Sequence, residues 1–173
     1  VVRTAHGADY DAEVVKTDVG NDWCILRVPK LDLPALSWSV QTLPAKGEPI
    51  FCVGYPVEKV TGKARPAPVI KAGTLLESSG VDGDTRHLQM AIPMGEGYSG
   101  SCVLDSRGRF LAMVSDRLNN ILQAVAPRGA VTAGTIFALK SQVVDLLLPG
   151  EVRAGVPAPA ETSSVLSVGD IKN

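Results

Sequence analysis

Short apolar runs, broken at regular intervals by turn-forming residues, constrain this chain more than any other feature. Between Val1 and about Leu139 the sequence contains "AEVV", "WCILRV", "PIFCVGY", "VIKAGTLLE", "HLQMAI", "SCVL", "FLAMVS", "ILQAVA" and "TIFAL", separated by Gly, Pro, Asn and Asp. Runs this short, rich in Val, Ile, Leu and aromatic residues, suit β-strands and leave too little length for helices. "DSRGR" (Asp105–Arg109) and "VDGD" (Val81–Asp84) read as hairpin turns. Many short strands with turn signals between them predict an all-β barrel or sandwich. One stretch breaks the pattern. "LKSQVVDLLL" (Leu139–Leu148) carries apolar residues at helical spacing, offers Ser141 as an N-cap and is stopped by Pro149-Gly150. Beyond it, "GEVRAGVPAPAETSSVLSVGDIKN" is rich in Pro, Ala and Ser and reads as a linker or flexible tail.

The 173 residues suffice for one domain, which at this size buries roughly 70% of its unfolded surface. A composition that is 45% hydrophobic and 20% charged is that of a globular chain. The basic residues are scattered and the formal net charge is −1, so no basic stripe offers a surface to nucleic acid or to a membrane. No apolar run approaches the ~18 residues needed to span a bilayer. Cys24, Cys52 and Cys102 are odd in number, widely spaced and set in apolar runs, and read as buried thiols rather than a disulfide framework. With two histidines, His6 and His87, and no Cys-x-x-Cys pair, neither a metal nor an organic cofactor is expected. Val1 is not a natural start residue, so a preceding segment is expected.

The segment "MGEGYSGSCVL" (Met94–Leu104) admits two incompatible readings. As Gly95-Glu96-Gly97-Tyr98-Ser99-Gly100 it spells the G-x-G-x-x-G turn that cradles a dinucleotide phosphate. That chemistry needs a helix N-terminus directly after the turn, whereas "SCVLDSRGRFLAMVS" reads as strand, turn and strand. An α/β-hydrolase elbow fails as well, because G-x-S-x-G would require glycine where Ser101 stands. As a loop presenting a nucleophile, the segment makes physical sense. Glycines let backbone N–H groups turn inward with no Cβ in the way, and an oxyanion hole is built from such donors. Ser99 is then the nucleophile, with the Gly97 and Ser99 amides as donors. The plain alternative is a glycine-rich loop between two strands.

"LQMAIPMGEGYSGSCVL" resembles the active-site segment of trypsin-like serine proteases of the HtrA/Deg type, in which an apolar strand with a Gln leads into a G-x-S-G-G/S turn and a further strand. Upstream, "YDAEVVKTDVGNDWCILRV" is similar to the segment of that family that carries the triad aspartate, and Asp22 occupies its place. "EPIFCVGYP", "PVIKAGTLLE" and "GTIFALKSQVVDLL" resemble later strands and the closing helix, in the family's order. The resemblance implies two Greek-key β-barrels, the first incomplete, and a C-terminal helix. Residues 1–30 would form the remainder of the first barrel, 31–47 the connection, 48–139 the second barrel with its serine loop, 140–149 the helix and 150–173 a linker or tail. It implies a serine endopeptidase acting on polypeptides through an acyl-enzyme on Ser99. Asp22, screened by Trp23 and the strand "AEVV", would orient a histidine base.

The base is where the pattern departs. The family sets its histidine further ahead of the aspartate than His6 stands, and "VVRTAHGADYDAEVV" reads more simply as a hairpin with "HGAD" at its turn. His87, one residue before "LQMAI", reads as a strand-surface histidine. Three arrangements stay open: a base upstream of Val1, His6 as the base of a compact barrel, or a pseudoprotease that binds without cutting. Tyr98 replaces a small polar or acidic residue, where it could occlude the oxyanion hole or belong to its packing. Cys102, where proline is common, is expected to face the core. The resemblance places the substrate pocket between Met90–Met94 and Ala112–Arg117, with Pro93, Met113 and Ser115 as binding residues. The absence of an acid there favours small or medium apolar side chains. Homo-oligomers and a bacterial envelope, secreted or organellar setting fit the resemblance, while the sequence itself leaves compartment and oligomeric state open.

Overall fold

In the computed structural model, described for residues 1–37, 42–56, 67–115 and 134–150, nearly every apolar run becomes a strand. The strands are β1 (Val2–Arg3), β2 (Asp9–Tyr10), β3 (Glu13–Asp18), β4 (Trp23–Arg27), β5 (Pro49–Gly54), β6 (Val69–Glu77), β7 (His87–Ala91), β8 (Cys102–Asp105), β9 (Phe110–Val114) and β10 (Thr135–Lys140). A short helix α1 (Ser141–Leu147) follows. "ILQAVA" lies outside the described residues, as does the tail beyond Gly150.

Strands β5 to β10 close into a barrel of order β10-β7-β6-β5-β8-β9. All its neighbours are antiparallel, and β9 meets β10 through Ala112–Val114 against Ala138–Lys140. A meander β5-β6-β7 with β8 returning beside β5 is a Greek key. Because alternate side chains point to opposite faces, one set fills the interior. Ile50, Cys52, Leu75, Leu88, Met90, Val103, Ala112, Val114 and Ala138 form this core. The opposite face is also covered at Phe51, Phe137 and Leu139, and α1 lies against β9 and β10.

The turn expected at Asp105–Arg109 joins β8 to β9. Its Asp105 carboxylate accepts from the Arg107 and Arg109 amides at 2.8 and 2.9 Å and from Arg109 Nε at 2.6 Å. "VDGD" falls within a longer β6–β7 connection, where Val81–Gly83 make one 3₁₀ turn. The expected helix starts later than its sequence pattern. Leu139 and Lys140 belong to β10, and Ser141 is the first helical residue, fully buried rather than an N-cap.

The N-terminal part does not close. β1–β2 and β3–β4 are separate two-stranded hairpins. In the first, Thr4 N–H donates to Ala8 O and Gly7 N–H to Thr4 O, placing His6 in the tip as the sequence suggests. The second pairs Val14 with Leu26 and Asp18 with Trp23. Phe110 N–H donates to Ser37 O at 2.9 Å and ties the connecting segment to β9. The three cysteines are free. Cys52 is fully buried and Cys102 partly so, but Cys24 is exposed, which corrects the expectation of three buried thiols. No helix among the described residues is long and apolar enough to cross a membrane.

Candidate active site

The segment from Ile92 to Ser101 joins β7 to β8 and contains the glycine-rich loop from Gly95. Ser101 N–H donates to Tyr98 O at 3.0 Å and closes a tight turn, with Ser99 and Gly100 at its two central positions. Gly100 has φ +77°, the left-handed backbone found at the third residue of a type II turn and one that a Cβ opposes. Two further bonds fix this turn to β9: Gly100 N–H donates to Val114 O at 2.9 Å, and Val114 N–H donates to Ser101 O at 3.0 Å. Ser99 therefore stands exposed on a turn held by a barrel strand. Gly97 also has positive φ, +95°. Among the described residues, the Gly97 and Ser99 amides have no hydrogen-bond acceptor, while those of Gly100 and Ser101 do.

Between exposed neighbours, Tyr98 is 3% exposed and belongs to the barrel core. Its ring lies over Gly54, the last residue of β5, and a Cβ there would come within 2.6 Å of Tyr98 Cδ1 and overlap Ser101 Oγ. The ring fills the interior instead of standing above the loop.

Asp22 ends the turn between β3 and β4, with φ +58°, a conformation Asp tolerates better than most residues. It is exposed, so the screening expected from Trp23 and β3 is not present. Trp23 itself is buried. The Asp22 carboxylate instead reaches the barrel: Ser115 Oγ donates to its Oδ2 at 3.1 Å. Ser115 follows Val114, which holds the serine turn, and is 2% exposed. One strand end thus binds the Ser99 turn through its backbone and Asp22 through the next side chain. Nothing in the sequence links Ser115 to Asp22, because they are distant in the chain and no periodic pattern joins them. The neighbouring turn residues are tethered too. Asp18 accepts from Asn21 N–H (3.0 Å) and Asn21 Nδ2 (2.8 Å), and the Asn21 Oδ1 accepts from Arg86 Nη1 at 3.5 Å. The Asn21 side chain, followed by its amide, holds the Asp18 carboxyl below its ordinary range.

Of the two histidines, His6 is exposed in its hairpin tip. His87 is 3% exposed, and its Nδ1 lies 2.6 Å from Asp84 Oδ2. The strand-surface position expected for it is wrong. The β6–β7 connection folds back so that Asp84 covers the ring, with Gly80 close beside it. Burial lowers the His87 pKa, with Asp84 opposing. Cys52, facing the core, is pushed up to about 12, first by burial and then by Cys102, so it is no nucleophile at neutral pH. Of the pocket residues read from the sequence, Pro93 is exposed, Met113 half-buried and Ser115 buried against Asp22. Residues 116 and 117 lie outside the described residues. No cluster of His, Cys, Asp and Glu among the described residues has the geometry of a metal site.

Comparison with known proteins agrees with the fold. The solved structures it resembles include the Rv3671c protease of M. tuberculosis in its active form, with a TM-score of 0.57 at 22% identity, covering 91% of this chain and 64% of that one. The inactive form gives a TM-score of 0.54 at 24% identity, covering 85% and 65%. A serine-to-alanine mutant of the same protein gives 0.55 at 22%, covering 87% and 68%. At these identities the likeness is one of fold. The uncharacterized protein y4bJ of Sinorhizobium fredii is 31% identical over 129 residues, which are 75% of this chain and 20% of that protein. The chain thus spans about a fifth of the length of this curated relative. The family model for the trypsin-like peptidase domain matches residues 1–113, well over half of the sequence, and the chain belongs to that family.

Proposed function

We propose that the chain is a serine endopeptidase domain that cleaves polypeptides by acyl transfer. The carrying observation is the end of β9, where Val114 binds the Ser99 turn through two backbone bonds and Ser115 binds Asp22. In this reading Ser99 Oγ attacks the scissile carbonyl, and the Gly97 and Ser99 amides receive the oxyanion. Asp22 fixes the tautomer of a histidine and stabilises its cation. That histidine is one outside residues 1–173 or His6. His87 is excluded from the role because Asp84 and its own burial hold it elsewhere. Pro93 and Met113 line the pocket for an apolar side chain, and the substrate is an extended peptide. Residues 48–139 carry the nucleophile, and residues 1–30 carry the carboxylate.

The test is intact mass after reaction of the full-length native protein with a fluorophosphonate, beside Ser99→Ala and His6→Ala. One adduct in wild type, absent in Ser99→Ala and kept in His6→Ala, is the expected result and puts the base outside this segment. Loss in His6→Ala as well assigns the base to His6. No adduct in wild type overturns the enzyme reading in favour of a protease fold that binds without cutting.

A further inference from the structure

Tyr98 breaks the local rule of its loop: it is the largest side chain between Met94 and Cys102, and it is buried where Gly95, Glu96, Gly97, Ser99 and Gly100 are all exposed. A loop that exists only to present Ser99 has no need of a buried ring. Rings dominate the energetics of the sites they fill and lose little conformational freedom in doing so. This one enters the barrel interior beside Cys52, Val103 and Val114. The place it occupies exists because β5 ends in glycine. Gly54 is buried and has no positive φ, so nothing in its backbone calls for glycine. What calls for it is the close approach of Tyr98 Cδ1 and Ser101 Oγ.

We propose that Tyr98 is a positioning residue whose ring, seated over Gly54, holds the Gly97 and Ser99 amides in place for the developing oxyanion. This rests on the acyl-transfer reading above. In the chain, Tyr98 stands between the two donors. The backbone bonds to Val114 anchor the loop on the β8 side, at Gly100 and Ser101. On the Gly97 side no amide bond of that kind exists among the described residues, and the ring is the anchor there. Anchors on either side of Ser99 restrain the rotation of its peptide, which is the preorganisation that oxyanion stabilisation requires. A socket formed at Gly54 also makes the loop's conformation a property of the barrel rather than of bound substrate.

The test compares Tyr98→Phe, Tyr98→Ala and Gly54→Ala, with Ile50→Val as a core control at the far end of β5. Two quantities are read on the full chain: the fluorophosphonate labelling rate at Ser99, and the ¹⁵N order parameters of the Gly97 and Ser99 amides. Wild type, Tyr98→Phe and Ile50→Val should label alike, with order parameters near the rigid value of about 0.85. Tyr98→Ala and Gly54→Ala should label on the order of ten to a hundred times more slowly, a loss approaching that of one oxyanion donor. Their two amides should fall below about 0.6 while barrel amides stay rigid. Unchanged order parameters in both variants overturn the proposal, whether or not the protein labels. Absence of labelling in wild type with the order-parameter pattern intact overturns the protease reading alone and leaves the socket standing.

Discussion

The closed barrel and the β3–β4 hairpin carry the two halves of the candidate site, and they are built to different standards. In the barrel, Ile50, Phe51, Leu75, Leu88, Met90, Leu111, Phe137 and Leu139 are all at 0–1% exposure. In the hairpin only Trp23 is buried, and Val14 and Leu26, directly opposite each other, are 64% and 43% exposed. An isolated two-stranded hairpin is marginal in water. The serine turn therefore rests on a rigid body, whereas Asp22 rests on a hairpin that depends on what it docks against. Its polar contacts with the rest of the structure include Ser115 to Asp22 and Arg86 to Asn21. The relative placement of Ser99 and Asp22 therefore leans on directional contacts such as these, since most of the fully buried apolar side chains lie on the barrel side.

The sharpest way to break this comparison is to cut the same chemistry from both regions. Leu88→Ala removes a fully buried side chain from the barrel interior and should cost about 2–5 kcal/mol in denaturant unfolding. Leu26→Ala removes the same group from an exposed face and should stay within about 0.5 kcal/mol. Equal losses would mean that the hairpin shares the core after all. Glycines give a second, smaller contrast. A Cβ at Gly73 would overlap Ala91 O, so Gly73→Ala should cost on the order of 1–3 kcal/mol through forced strand displacement. At Gly20 a Cβ would meet only Asp18 Oδ1 at 3.3 Å, a carboxylate bonded to Asn21 that has to give by a few tenths of an ångström, and Gly20→Ala should cost less than about 1 kcal/mol.

The same contrast explains what was legible in the sequence. Barrel strands announce themselves because burial on one or both faces writes apolar residues into every short run, and β5 to β10 follow those runs closely. The Asp105–Arg109 turn is equally plain, since Asp and Gly carry its geometry locally. Of the candidates for the site, Ser99 and Gly97 sit in one glycine-rich motif, while Asp22 is read from the family resemblance of its segment. What fixes each in the fold is not local, because the Ser115–Asp22 bond and the Tyr98–Gly54 contact link residues far apart in the chain. The environment of His87 is hidden from the sequence for a related reason. Its burial comes from the β6–β7 connection folding over it, which no strand periodicity encodes. Ser141 had the right residue type for a cap, but β10 runs on through Lys140 and places it one step inside the helix.

The directional contacts themselves are tested by Ser115→Ala. Asp22 is exposed, so water can replace the lost donor, and the cost should be about 1 kcal/mol or less rather than that of an orphaned buried charge. The place where it shows is the informative part. Amide hydrogen exchange should quicken across β3 and β4 and stay unchanged in the barrel core. Exchange that quickens equally in β9 would show Ser115 to be a barrel residue first and a docking residue second.

The smallest effect is a slope with pH, and it links the two regions. Asp84, Arg86, His87 and Lys140 meet at the β7–β10 end of the barrel, where Lys140 Nζ donates to Thr85 O at 2.6 Å. Burial lowers the pKa of His87 and of Lys140, with Asp84 opposing in both. Burial also works against ionisation of Asp84, but hydrogen bonds from Arg86 and His87 outweigh it and hold the carboxyl well below the usual range. A histidine depressed in the folded state is neutral there while the unfolded chain takes up a proton near pH 6.5. Its contribution is therefore complete above about pH 6.5 and is lost as pH falls from there toward the folded value. Asp84 has the same sign, but its loss begins only below about pH 4. Urea midpoints between pH 7.5 and 5 should thus decline in wild type and run flatter in His87→Gln, whatever the variant's absolute stability. An unchanged slope would remove His87 as the titrating group. Because Arg86 shares its guanidinium between Asp84 and Asn21, any loosening of this cluster should reach the Asp22 turn as well. The hairpin, tied to this cluster through Asn21, is where a modest pH effect becomes visible, as faster exchange in β3 and β4 at pH 5 than at pH 7.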